Sequence, residues 1–237
     1  MANLEPLIQS IPVAPLKLAS LEGCRTLADQ VNNYLVSFRH ESPTNVGQAD
    51  SLQGYCADSY LLECECPRFG SGEGKGVLKE SVRGCDLFIM VDVTNYSLTY
   101  RVNGYENHMS PDNHYQDLKR IISAADGKAR RINVIMPFLY EGRQHKRSKR
   151  ESLDCALMLQ ELVDMGVSNI LTFDAHDPRV SNSIPLHGFD SFMPTYQFLK
   201  ALVNSVPDFV IDNDHLMIIS PDEGAMGRAV YFSNILG

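Results

Sequence analysis

The sequence predicts an α/β protein: a mostly parallel sheet flanked by helices. Two observations carry that expectation. Apolar runs of strand length alternate with helix-length amphipathic stretches along the chain, the signature of successive βαβ units covered on both faces. With 44% hydrophobic and 21% charged residues, the 237-residue chain is ordinary globular material, long enough to bury about two-thirds to three-quarters of its unfolded surface without a disulfide or metal staple.

In chain order, a helix is expected over 22–38, then a long surface loop at 39–57, where Ser, Pro, Asn and Gly dominate. The run Ser59-Tyr-Leu-Leu-Glu-Cys64 predicts a strand, and Asp86-Leu-Phe-Ile-Met-Val-Asp-Val93 a second. Residues 94–112 are polar and rich in Tyr and Asn, which predicts another long loop, followed by a helix over 113–125 and a strand over 132–137. In the helix expected over 151–165, Asp154, Gln160, Glu161 and Asp164 share a stripe roughly 120° wide. That leaves Leu153, Leu157, Leu159, Leu162 and Val163 on the broad remainder, and Gly166 ends the helix. A strand over 168–174 follows. The stretch from Ile184-Pro185 to Pro194 has no clear periodicity and is the expected link between two lobes; beyond it come a helix at 194–204, a strand at 216–220 and a helix at 225–235.

No apolar run approaches the 18 residues of a membrane helix, and Met-Ala-Asn-Leu-Glu lacks the character of a signal peptide, so a cytoplasmic protein without membrane contact is expected. The six cysteines are then expected as reduced thiols, and Cys64-Glu65-Cys66 has no second pair at zinc-ligand spacing. Net charge is −8, yet Lys128–Arg150 alone carries +7. That distribution suits a local anion site and disfavours a nucleic-acid surface.

Four clusters carry chemistry. Phe69-Gly-Ser-Gly-Glu-Gly-Lys-Gly76 fails as a phosphate loop: Phe69 stands where a Walker A loop needs Gly, Gly76 replaces its Ser/Thr, and Val77 takes the third glycine position of a dinucleotide fingerprint. On composition alone, a flexible turn accounts for it equally well. Arg143, Lys146, Arg147, Lys149 and Arg150 follow the strand ending Met136-Pro137-Phe138, which places them at a carboxyl strand end, where open α/β folds bind ligands. Guanidinium groups there suit phosphate oxygens, although a solvated basic turn has the same composition. Asp174, His176 and Asp177 end another strand, and their mutual repulsion is of the kind a hard cation offsets. Asp222, in Ser220-Pro-Asp-Glu-Gly224, is a third strand-end acid ahead of a helix whose free amides suit an anion. Each carboxylate alone is an ordinary turn or capping residue; their recurrence points to Mg²⁺ and phosphate. His40, His108, His114, His187 and His215 have no spacing that singles them out.

Taken in order, these segments resemble the ribose-phosphate pyrophosphokinase family, the phosphoribosyl pyrophosphate synthetases. Phe69-Gly-Ser-Gly-Glu73 is similar to that family's Phe-Ser-Asp-Gly-Glu, and the spacing to Glu80-Ser-Val-Arg-Gly-Cys-Asp86 fits without a gap. Pro137-Phe-Leu-Tyr-Glu-Gly-Arg-Gln144 resembles Pro-Tyr-Phe-x-Tyr-Ala-Arg-Gln, Asp174-Ala-His176 resembles Asp-Leu-His, and Ser220-Pro-Asp-Glu-Gly-Ala225 resembles Ser-Pro-Asp-x-Gly-Gly. The likeness is close over 69–91 and 131–232.

The resemblance implies a phosphoribosyltransferase-like fold, with an ATP-binding and oligomerisation lobe at 1–190 and the beginning of a second, similar lobe at 191–237. It implies transfer of diphosphate from Mg-ATP to the anomeric hydroxyl of ribose 5-phosphate, with release of AMP. Glu73 would contact adenine from a neighbouring subunit of a homo-oligomer, dimer or hexamer; Arg143 and Gln144 would hold ATP; Asp174, His176 and Asp222 would serve Mg²⁺. The sequence departs from the family at Ser71, His145 and Ala225, in a shorter segment after His176, and in extra polar residues at 39–57 and 94–112. It contains no adjacent Asp-Asp of the kind the family uses for ribose 5-phosphate, and Gly237 precedes the family's mobile Lys/Arg loop. The 237 residues alone are therefore expected to be inactive. The alternatives are a non-catalytic homologue that assembles with active subunits and, disfavoured by the overall acidity, a nucleic-acid module using 128–150.

Overall fold

The computed structural model of the protein describes residues 12, 14–41, 54–212 and 214–236. Two compact units divide it, Met1–Phe192 and Met193–Gly237. The first contains strands β1 (Leu16–Ser20), β2 (Leu61–Leu62), β3 (Cys64–Glu65), β4 (Val77–Leu78), β5 (Asp86–Met90), β6 (Thr99–Val102), β7 (Tyr105–His108), β8 (Arg131–Met136), β9 (Val167–Phe173) and β10 (Gly188–Phe192). Its helices are α1 (Arg25–Glu41), α2 (Pro111–Ala124) and α3 (Asp154–Asp164). The second contains α4 (Thr195–Ser205) and α5 (Met226–Leu236).

Six strands form one sheet in the order β10-β9-β8-β5-β1-β2, and every neighbouring pair is parallel. Register assigns the faces. Leu18 and Met90 share one face with the buried α1 residue Ala28. Ala19, Ile89 and Val134 share the other with Leu118 and Ile121 of α2 and Leu159 and Leu162 of α3. Each of the Leu, Ile, Val and Met side chains among them, fully buried, stabilises the fold by about 1.5–3 kcal/mol. A polar row crosses the amino end of the sheet. Asp86 accepts from Arg131 Nε at 2.9 Å and Asn133 Nδ2 at 2.7 Å, and Asn169 donates to Asn133 at 2.5 Å.

Several expectations are corrected. The strand expected at 59–64 splits: Leu61–Leu62 pairs with β1 at the sheet edge, then Cys64–Glu65 leaves to pair antiparallel with β4. Strand β1, which Lys17 disguises, lies inside the sheet; Lys17 reaches Glu80 at 3.0 Å while Leu18 and Ala19 are buried. The expected loop at 94–112 contains the β6–β7 hairpin and the start of α2, where Ser110 and Asn113 form a capping box ahead of Pro111. The expected link at 184–194 holds the boundary between the two units, after Phe192, but also contains β10, the sixth sheet strand. The strand expected at 216–220 is not formed: those residues carry no strand assignment. Leu157 is exposed, since α3 buries a narrower arc of Cys155, Met158, Leu159 and Leu162. Most of the polar stretch at 39–57 lies outside the described residues; its first positions complete α1, which ends at Glu41.

Candidate functional site

Neighbouring parallel strands β8 and β9 each release a loop at their carboxyl ends. After Met136, the chain buries Leu139, turns tightly with Gly142 N–H donating to the Leu139 carbonyl at 3.1 Å, and closes with Gln144 N–H on the Glu141 carbonyl at 2.9 Å. Glu141 adopts φ +54°, and burial together with nearby Asp154 and Asp112 raises its pKa. The Tyr140 hydroxyl donates to Asp112 at 2.5 Å, tying the loop to α2, and burial raises that phenol's pKa further.

Gln144 does the rest of the closing. Its side-chain amide donates to the carbonyls of Ser152 at 2.7 Å and Lys146 at 3.3 Å, drawing 144–152 into a compact loop. Arg143 is exposed on its rim. Among the described residues no carboxylate pairs with Arg143, Lys146, Arg147, Lys149 or Arg150, leaving five cations facing solvent.

The second loop begins at Asp174, whose φ of +41° turns the chain out of β9 while its N–H donates to the Phe192 carbonyl at 2.9 Å. Ala175 N–H donates to Ser191 Oγ at 2.9 Å. His176 is exposed, and Asp177 caps the following 3-10 turn and accepts from Arg179 Nε at 2.9 Å. Hydrogen bonds from Arg179 hold the Asp177 carboxyl well below the usual carboxylate range. The two loops meet through His145: its ring lies 5.0 Å from that of His176, and its Nε2 is 3.7 Å from Asp177 Oδ2.

Arg143, Gln144, Asp174 and His176 therefore stand on two adjoining loops. Glu73 lies apart, at the tip of the β3–β4 hairpin, where its Oε2 accepts from Ser71 Oγ at 2.8 Å. Asp222 belongs to the second unit and accepts from Ala225 N–H at 2.9 Å, just ahead of α5. Among the described residues no three His, Cys, Asp or Glu side chains converge as a metal site. Sequence reasoning missed Arg179 and the closing role of Gln144. The Asp177-Pro-Arg179 turn was the available signal for the first; only the fold exposes the second.

Residues 16–166 match the family model described as the N-terminal domain of ribose phosphate pyrophosphokinase. The chain belongs to that family. Among similar ribose-phosphate pyrophosphokinases, that of Staphylococcus epidermidis is 28% identical over 180 residues, covering 74% of this chain and 50% of the relative. Those of Corynebacterium ammoniagenes and Bacillus cereus are 27% identical over 220 residues, covering 90% of this chain and 55% of each relative. The chain thus spans about half the length of the curated ribose-phosphate pyrophosphokinases it matches. The crystal structure of phosphoribosylpyrophosphate synthetase from Mycobacterium smegmatis superposes with a TM-score of 0.67 at 21% identity, over 94% of this chain and 61% of that one. That likeness establishes the pyrophosphokinase-type α/β fold. No helix among the described residues is long and apolar enough to cross a membrane.

Proposed function

We propose that this chain supplies the nucleotide-binding half of a ribose-phosphate diphosphokinase, in which the anomeric hydroxyl of ribose 5-phosphate attacks the β-phosphorus of Mg-ATP and AMP leaves. Residues 1–190 are then the ATP-binding and oligomerisation lobe, and 191–237 begin the phosphoribosyltransferase-like lobe. One observation carries the reading: a loop of unpaired cations and a loop bearing Asp174 and His176 leave neighbouring parallel strands and touch at His145 and His176, 5.0 Å between rings.

Such an arrangement serves a reaction that needs alignment and charge neutralisation more than covalent chemistry. Arg143 grips phosphate oxygens, and Gln144 holds the loop that presents it. Asp174 and His176 are the donors this chain offers Mg²⁺, an ion that takes one or two protein donors and keeps water and phosphate oxygens for the rest. Asp177 is left out of this set because Arg179 engages it. Mg²⁺, when bound, neutralises charge on the transferred diphosphoryl group. Glu73 reads the adenine of a neighbouring subunit in a cytoplasmic homo-oligomer, dimer or hexamer.

Titration calorimetry with Mg-ATP tests the reading. Arg143→Ala should weaken binding by about 1.5–3 kcal/mol, the worth of a charge-assisted hydrogen bond. Unchanged affinity would remove the basic loop from the site. A second reading, a non-catalytic homologue that assembles with active subunits, draws support from Ser71, which stands where the family has an acid and occupies Glu73 Oε2 at 2.8 Å.

A further inference from the structure

Residues 99–108, inside a stretch that departs from the family pattern, fold as a hairpin that lies against the Phe69–Glu73 loop. Gly72, at φ +91°, is so close to it that a Cβ there would stand 2.9 Å from Val102 Cγ2 and 4.0 Å from the Tyr100 ring. Asn103 N–H, in the tight turn between β6 and β7, donates to the Gly70 carbonyl at 3.4 Å. Tyr100 also lies under the Arg68 guanidinium, 5.3 Å from ring centroid to Cζ.

Both partners of this contact are anchored elsewhere. Arg68 opens the loop by bridging to Gly74, and its guanidinium is held at 2.7 Å by the buried Asp117 of α2, which also takes Arg120 at 2.6 Å. The hairpin is fixed at its base: His108 stacks on Tyr96 at 5.1 Å and bonds its carbonyl at 2.9 Å, and the buried His114 of α2 bonds the Asn95 carbonyl at 2.6 Å. The loop between them has only two internal backbone bonds, Phe69 N–H to Glu73 and Gly72 N–H to Phe69, at 2.7 and 2.9 Å. Among the described residues, its tip is supported from outside by the hairpin, through Asn103 and Val102.

We propose that the β6–β7 hairpin is a brace that fixes the shape of the Phe69–Glu73 loop, with Val102 and Tyr100 as positioning residues for Glu73. The consequence for adenine recognition rests on the function proposed above; the brace does not. A loop held from both sides presents its carboxylate to a partner without first paying to order it, and losing the Val102 side chain leaves Gly72 free to move.

Amide hydrogen exchange on the full chain decides the brace. In Val102→Ala the Phe69 and Gly72 amides should exchange at least ten-fold faster than in the wild type, β8 amides should be unchanged, and Val102→Ile should restore protection. Unchanged loop exchange in Val102→Ala would overturn the proposal. In the wild type, denaturant-dependent exchange should show the loop opening together with the hairpin; a loop that opens while hairpin amides remain protected would overturn it without recourse to any variant. Mg-ATP calorimetry then tests positioning: Val102→Ala should weaken binding several-fold and narrow the preference for ATP over inosine triphosphate. Faster loop exchange with both affinities unchanged would deny Val102 a positioning role. A wild type that binds no Mg-ATP would sink the functional reading alone, with the brace still judged by exchange.

Discussion

Asp177 shows how a residue's chemistry depends on a neighbour that sequence spacing only suggests. The Asp-Ala-His-Asp run marks it as a possible cation ligand, yet the guanidinium two positions on takes both carboxylate oxygens. Its pKa is lowered in the folded state, so its contribution to stability is complete above the unfolded carboxylate value near 3.9 and disappears as pH falls through the lowered folded value. Urea unfolding of the wild type and Asp177→Asn should therefore show a constant stability difference above about pH 5 that shrinks below about pH 4. A difference that grew on acidification would mean the carboxylate is not charged in the native loop. The cysteines follow the same logic of surroundings: burial pushes the thiols of Cys64 and Cys155 up to about 11, leaving both protonated and inert near neutral pH.

At the scale of elements, strands and amphipathic helices were legible where burial against a flat sheet or a neighbouring helix imprints a local period; β1, interrupted by Lys17, was not. Strands β5, β8 and β9 and helices α2 and α3 follow it closely. The β6–β7 hairpin does not, since a half-solvated ribbon buries too little to constrain composition. The polar row Asp86, Asn133 and Asn169 ties the amino-terminal parts of β5, β8 and β9 together, and Gly188 packs against it so tightly that a Cβ would lie 2.0 Å from Asn169 Oδ1. Removing the central acceptor with Asp86→Ala strands the Arg131 guanidinium and leaves the buried Asn133 amide only its bond to the Leu87 carbonyl. That should cost about 2–4 kcal/mol in urea denaturation, less than a fully buried pair because Arg131 is partly solvated. A loss under about 0.5 kcal/mol, the scale of a surface substitution, would show that the row does not contribute to stability.

For the whole molecule, the proposed function separates binding from transfer. In that proposal the two loops are the phosphate and cation contacts, and within the 237 residues no Asp-Asp acceptor motif of the resembled family occurs. Holding ATP without aligning the acceptor forfeits about 7–11 kcal/mol of effective-molarity advantage. These residues alone should therefore bind Mg-ATP while releasing AMP, with ribose 5-phosphate present, at no more than a background rate. A coupled AMP assay showing sustained turnover would place the acceptor site within residues 1–237. The sequence by itself determined the parallel α/β order and the carboxyl-end placement of Arg143, Asp174 and His176, because strand and helix periods and the strand-to-loop transition are local properties of the chain. Only the tertiary structure decided that Gln144 closes its own loop, that Arg179 engages Asp177, that His145 meets His176 and that Val102 covers Gly72. Those contacts depend on which loops the sheet brings side by side, and packing between distant segments leaves no period along the chain to read.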